Sequence, residues 1–247
     1  VVAATENDVD AINLLSHALL KQNKAGDAEE ATNLLLKAAS KQPDSAAAQL
    51  RLGASLLAGG KQAEAIEHIE KAIEMDPQLQ KAHFLLVQSY LNQKDFDNAL
   101  AASDVYRDKF PNSALPYNRI GNIQLATGNE AAATEAFSRA REISPGNPTA
   151  SQGLAALALE NNDFQQARAY YLDVLKHYEN HLTTLLKLAI VDALEKNEQV
   201  MYEHLQQAAT AHPKAVEPKV MLARYYLAEG KAEKVPLLML ELGERQK

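Results

Sequence analysis

Apolar residues recur along this chain with two periods. Within short runs they fall three and four residues apart, which puts them on one face of a helix. Over longer distances the same arrangement returns every 34 residues. One column reads Ala31, Ala65, Ala99, Ala133, Ala167, Met201 and Val235. Four residues on stand Leu35, Ile69, Ser103, Phe137, Tyr171, Leu205 and Met239, and three further on Ala38, Ala72, Tyr106, Ala140, Val174, Ala208 and Leu242. An earlier apolar column holds Ala18, Leu52, Leu86, Ile120, Leu154, Leu188 and Leu222. Beside it runs a mostly small one: Leu19, Gly53, Val87, Gly121, Ala155, Ala189 and Ala223. Gly26, Gly60, Lys94, Gly128, Asn162, Lys196 and Gly230 form a glycine-or-polar column. Pro43, Pro77, Pro111, Pro145 and Pro213 keep the same step, while Glu179 and Lys247 take the other two places.

These columns predict fourteen main helices in seven antiparallel pairs, with no insertion between units. The Gly-or-polar column stops the first helix (A) of each pair and reverses the chain. The Ala column lets the second helix (B) approach closely, since a larger side chain would separate the axes. Proline then ends helix B, because the residue before it resists the helical region. Pro116, Pro148 and Pro218 fall at or near helix starts, where a missing N–H is tolerated. One pair cannot bury its apolar face alone, so neighbours must stack. The expectation is an all-α fold, an α-solenoid of about seven 34-residue units. An N-terminal extension covers 1–7, and a single array fills 8–247. Its units run approximately 8–45, 46–79, 80–113, 114–147, 148–181, 182–215 and 216–247.

A 34-residue helix-turn-helix period resembles the tetratricopeptide repeat (TPR). The resemblance spans essentially residues 8–242, although no Trp fills the family's aromatic column and Tyr117 is the nearest match. It implies a right-handed superhelix with the A helices lining a concave groove. The groove-facing places are the second, fifth, ninth, twelfth and thirteenth of each unit. Carried onto this sequence, they give candidate partner-binding residues Lys81, Phe84, Gln88, Asn92, Asn118, Asn122, Gln152, Glu160 and Arg224, with Arg119 beside them. Asn118 and Asn122 lie one helical turn apart, where two amides could bond along an extended peptide. The lysine–asparagine pair that opens the carboxylate clamp of co-chaperone TPRs is missing. The stretches 52–102, 115–137 and 217–231 (LGASLLAGGK…, LPYNRIGNIQ… and EPKVMLARYYLAEGK) also resemble the TPR-repeat lipoprotein of the PEP-CTERM (exosortase) system. That likeness implies a periplasmic or outer-membrane scaffold in a Gram-negative envelope that handles exopolysaccharide and sorts proteins. A cytoplasmic location is the alternative.

Composition narrows the chemistry. The 247 residues carry a net charge of -7 and no basic run, which disfavours nucleic acid. Zero Cys removes disulfides and thiol chemistry. No run of 18 apolar residues spans a membrane. GGKQ at 59–62 lacks the glycine and the Ser or Thr of a phosphate loop, so it reads as a turn. His177 and His181 have a two-histidine spacing but sit where a helix should end. We therefore expect no enzyme, cofactor or metal. The expected role is a protein-interaction scaffold holding a protein or peptide segment in the groove. Alternatives are a polysaccharide-binding module, for which Phe84 is the one groove aromatic, and a regulatory array within a larger enzyme. The start at VVAATENDVD and the apolar end suggest an excerpt of a longer chain. Leu237, Leu238, Met239, Leu240 and Leu242 would leave a final helix partly uncovered, so weak self-association through it is expected.

Overall fold

The computed structural model describes residues 9–22, 24 and 26–236, and among these there is no strand. Thirteen α-helices follow in order: α1 (Val9–Gln22), α2 (Asp27–Lys41), α3 (Ala46–Ala58), α4 (Gln62–Met75), α5 (Gln80–Asn92), α6 (Phe96–Lys109), α7 (Ala114–Ala126), α8 (Glu130–Ile143), α9 (Pro148–Glu160), α10 (Phe164–His177), α11 (Leu182–Leu194), α12 (Glu198–Ala211) and α13 (Glu217–Ala228). A single 3-10 turn, Ala232–Lys234, comes next. Of the expected fourteenth helix only the start is described, and its apolar residues from Leu237 to Leu242, with the self-association assigned to them, lie outside the described residues.

The glycine-or-polar column makes the turns by one backbone device. All seven of its residues have positive φ: Gly26 91°, Gly60 77°, Lys94 59°, Gly128 80°, Asn162 58°, Lys196 59° and Gly230 70°. Glycine adopts this conformation freely, whereas a lysine there costs roughly 1–2 kcal/mol. The residue after the turn often caps helix B. Asp95, Asn129 and Asp163 accept from the backbone N–H three residues on, at 3.2, 3.4 and 2.9 Å. A cap of this kind is worth about 1 kcal/mol. The B helices end at Lys41, Met75, Lys109, Ile143, His177 and Ala211, again in steps of 34. His177 ends α10 although Glu179, not proline, stands two residues later. Proline therefore reinforces a stop that the turn already makes.

The chain forms two compact halves, Val1–Ile123 and Gln124–Lys247. In the first, each helix from α1 to α6 packs on the next, and α3 also touches α5. In the second, α8 to α13 pack in the same serial way. The close-approach column behaves as its size predicts: Ala31, Ala65, Ala99, Ala133 and Ala167 are fully buried. The small column is equally constrained. A Cβ on Gly53 would stand 2.7 Å from Ile69 Cγ1, so α3 meets the α4 side chain through bare backbone.

Helix α1 leaves the 34-residue grid. It buries Ile12 and Ser16, while Ala18, the residue the column predicts, is exposed. Ile12 and Ser16 match Ala48 and Leu52 of α3 at a spacing of 36. Two additional residues thus separate the core of α1 from that of α2. The uninterrupted register expected from sequence holds from α2 onward.

Within the first half, His83 of α5 is buried against Tyr106 of α6, with ring centroids 5.7 Å apart, and its Nε2 lies 3.0 Å from the Pro77 carbonyl. That nitrogen donates, since a carbonyl can only accept. Burial lowers the His83 pKa; the Pro77 bond opposes this and nearby Lys109 adds to it. A histidine kept neutral in the fold binds protons more readily when unfolded. Its contribution is therefore complete above the ordinary histidine pKa of about 6.5 and is lost as pH falls below that value. His83→Gln should lower stability at pH 7.5, and the gap between parent and variant should narrow by pH 5.5. Urea titrations of both proteins at the two pH values would show a constant or widening gap if His83 carried a proton in the fold.

Candidate functional site

The A helices of the first half differ sharply from its B helices in charge. Helices α3, α5 and α7 contain no Asp or Glu, whereas α2, α4 and α6 each carry three or four. Of the A helices of the first half, α1 carries Asp10, and the cations of the acid-free three are Arg51, Lys81 and Arg119. Arg51 and Lys81 are exposed, and Arg119 is half-buried with its guanidinium carbon 4.3 Å from the centre of the Phe84 ring. Burial pulls the Arg119 pKa down, partly offset by Tyr106. Among the described residues none of the three cations has a carboxylate partner.

On the A-helix face a cleft of about 370 Å³ opens between α1 and α3 and reaches the start of α5. Leu20, Leu35, Leu50 and Leu79 supply apolar walls, while His17, Arg51 and Lys81 are its basic residues. Ala47, Leu50 and Ala54, which also line it, occupy the second, fifth and ninth places of their unit, which are groove columns. Lys81 is the one sequence-predicted site residue that belongs to this cleft. The rest of the cleft was missed because candidates were drawn from later units and because α1 lies off the grid. The signal that could have found it is the absence of acid from 46–58, 80–92 and 114–126, visible once charge is summed helix by helix.

The other candidates take varied positions. Phe84 is covered on one side by Arg119 and offers no bare ring on that face. Gln88 donates from Nε2 to Asn92 Oδ1 at 2.8 Å along the exposed side of α5. Asn118 is 7% exposed, and its Oδ1 has no hydrogen-bond partner. Asn122, one turn later, is open to solvent. The two amides therefore do not form the exposed pair expected for backbone capture: Asn118 is taken into the packing, and its removal would disturb the fold as well as any partner. In the second half Gln152 is half-buried, while Glu160 and Arg224 are exposed.

The histidine spacing at 177–181 has a structural explanation. A Cβ on Gly146 (φ 70°) would stand 2.4 Å from His177 Cδ2, so that ring lies on bare glycine backbone. His181 precedes α11 with Nδ1 2.8 Å from Thr184 Oγ1. Among the described residues no cluster of three His, Asp or Glu could hold a metal ion, and no helix is long and apolar enough to cross a membrane.

Comparison with known proteins agrees with this architecture. Sequence profiles of the tetratricopeptide repeat match residues 13–80 in one form and residues 56–118 and 124–188 in another, the second form alone covering more than half of the chain. Anaphase-promoting complex subunit 6 of Arabidopsis thaliana is 25% identical over 175 residues, covering 69% of this chain and 32% of that protein. The chain thus spans about a third of that curated relative. Among solved structures, the APC/C hetero-tetramer Cut9–Hcn1 superposes with a TM-score of 0.61 at 20% identity, over 97% of this chain and 47% of that one. Pseudomonas aeruginosa pilF superposes with a TM-score of 0.63 at 20% identity, over 87% and 97%. Such identities speak for the fold alone. The profile matches, the 34-residue step and the paired helices carry one conclusion: the chain belongs to the tetratricopeptide-repeat family.

Proposed function

We propose that the chain is a protein-interaction scaffold whose A-helix face receives a segment of a partner protein. The observation that carries this reading is the apolar cleft on the groove columns of the first half, lined in part by Arg51 and Lys81, which have no carboxylate partner among the described residues. A surface of this kind suits recognition: it offers apolar area for burial and charges that select what is buried. A polysaccharide would need open aromatic faces, and Arg119 covers Phe84. The resemblance to the PEP-CTERM lipoprotein supports setting this scaffold in a bacterial envelope, which fractionation of the native host would test. The direct test of the scaffold is photocrosslinking in that host, with p-benzoylphenylalanine at Gln88 on α5 or at Glu67 on α4. Discrete crosslinked polypeptides are expected from position 88. Crosslinks from position 67 alone, or from neither, would refute a partner on the A-helix face.

A further inference from the structure

The cleft is specific enough to name its occupant's chemistry. We infer that the first half binds an acidic peptide segment, placing one aliphatic or aromatic side chain in the cleft and side-chain carboxylates on Arg51 and Lys81. This rests on the scaffold reading and specifies its partner.

Three observations lead to it. The cleft walls are mainly leucine and alanine, with Asn13 and Ser16 on the α1 side, so an apolar group gains most by entering. Its volume, about 370 Å³, is at the small end of ligand pockets and suits one large side chain with adjoining backbone. Its charged rim has a single sign. In a chain of net charge -7, the lining includes His17, Arg51 and Lys81 and no acidic residue. Charge of one sign beside an apolar cleft, with no carboxylate partner among the described residues, is complementary to the opposite charge on what docks there. The acids of α2, α4 and α6 would at the same time repel an acidic segment from the B-helix side.

The cations also bear on where the occupant's charge sits. Arg51 is on α3, Lys81 on α5 and Arg119 on α7. One terminal carboxylate matches a single guanidinium fork. Cations carried by three successive A helices call for several carboxylates along a segment, so a free C-terminus is not required.

The test begins with a phage-displayed library of random 12-residue peptides, panned on the whole chain and counter-selected on Arg51→Glu/Lys81→Glu. Enriched peptides should carry at least two Asp or Glu around a Leu, Ile, Met or Phe. The best of them, made with an acetylated N-terminus and an amidated C-terminus, is then measured by fluorescence anisotropy. Its affinity should fall at least tenfold with Arg51→Glu, several-fold with Lys81→Ala, and steadily as NaCl rises from 50 to 300 mM. Replacing its apolar anchor by Ala should cost a further tenfold. Both substituted residues are exposed, so circular dichroism should be unchanged. Enrichment of basic or uncharged peptides, or affinity indifferent to Arg51→Glu, would overturn the inference. Binding only with a free C-terminus would move recognition to a terminal carboxylate. Equal competition by a 20-nucleotide single-stranded DNA would assign the cations to phosphates. If crosslinks appear from position 88 while acidic peptides fail, the scaffold reading stands and this one falls; if both fail, both fall.

Discussion

Phe137→Ala should lower the stability of the second half by about 3–5 kcal/mol, the usual cost of deleting a buried aromatic ring. Phe137 lies on α8, is fully buried, and reaches the backbone of α9. A Cβ on Gly153 would stand only 2.3 Å from its Cε2 atom, so ring and glycine are fitted to one another. The converse change, Gly153→Ala, should cost about 1–3 kcal/mol by overpacking. Because both act on one contact, their effects should not add. Phe137→Leu with Gly153→Ala should be more stable than the sum of the single losses implies. Urea unfolding followed at 222 nm measures all of these. Strict additivity would mean that ring and glycine do not meet in solution.

A comparable loss is expected from an ionic contact. Asp192 of α11 is fully buried, pairs with Arg168 of α10, and receives a hydrogen bond from His204 Nδ1 of α12 at 2.7 Å. Arg168 also pairs with Glu195, just after α11. One carboxylate thus joins three consecutive helices. Arg168→Leu would leave it buried with histidine alone, and breaking such a pair costs about 3–5 kcal/mol. Arg168→Leu with Asp192→Leu should recover much of that loss, since an apolar pair of similar volume needs no desolvation of charge. The double-mutant cycle, read by urea titration, decides the matter. A single substitution costing under 1 kcal/mol would show that water reaches the pair.

These contacts mark what the sequence made legible. Ala133 and its equivalents could be read because helix–helix approach admits one size of side chain, so steric need appears directly as a column. The left-handed turns were readable for the same reason where glycine fills them, and less so at Lys94 and Lys196, where the column alone predicts the turn. Asp192 and Arg168 were not singled out, because an acid on a helix ordinarily faces water and only tertiary packing buries it. The candidate site was read less well. Family columns included Lys81, which lines the cleft, but treated Asn118 as exposed, since periodicity gives direction on a helix and not the depth of its neighbours. Most of the cleft escaped because it combines four helices, one of them two residues out of register.

The left-handed residue in each turn bears on how the chain folds. A reversal fixed by one backbone conformation lets a pair of helices begin to form from contacts as local as that of Gly53 with Ile69. Contacts this local favour rapid folding, and nucleation can start in more than one pair. The turns with glycine enter the left-handed region freely, whereas Lys94, Asn162 and Lys196 must climb into it. Within the two halves, the hairpins α1–α2 and α3–α4 are therefore the favoured nuclei, and α5–α6, α9–α10 and α11–α12 form later on their neighbours. Pulsed hydrogen exchange during refolding would reveal that order as early protection in α3–α4 and delayed protection in α11–α12.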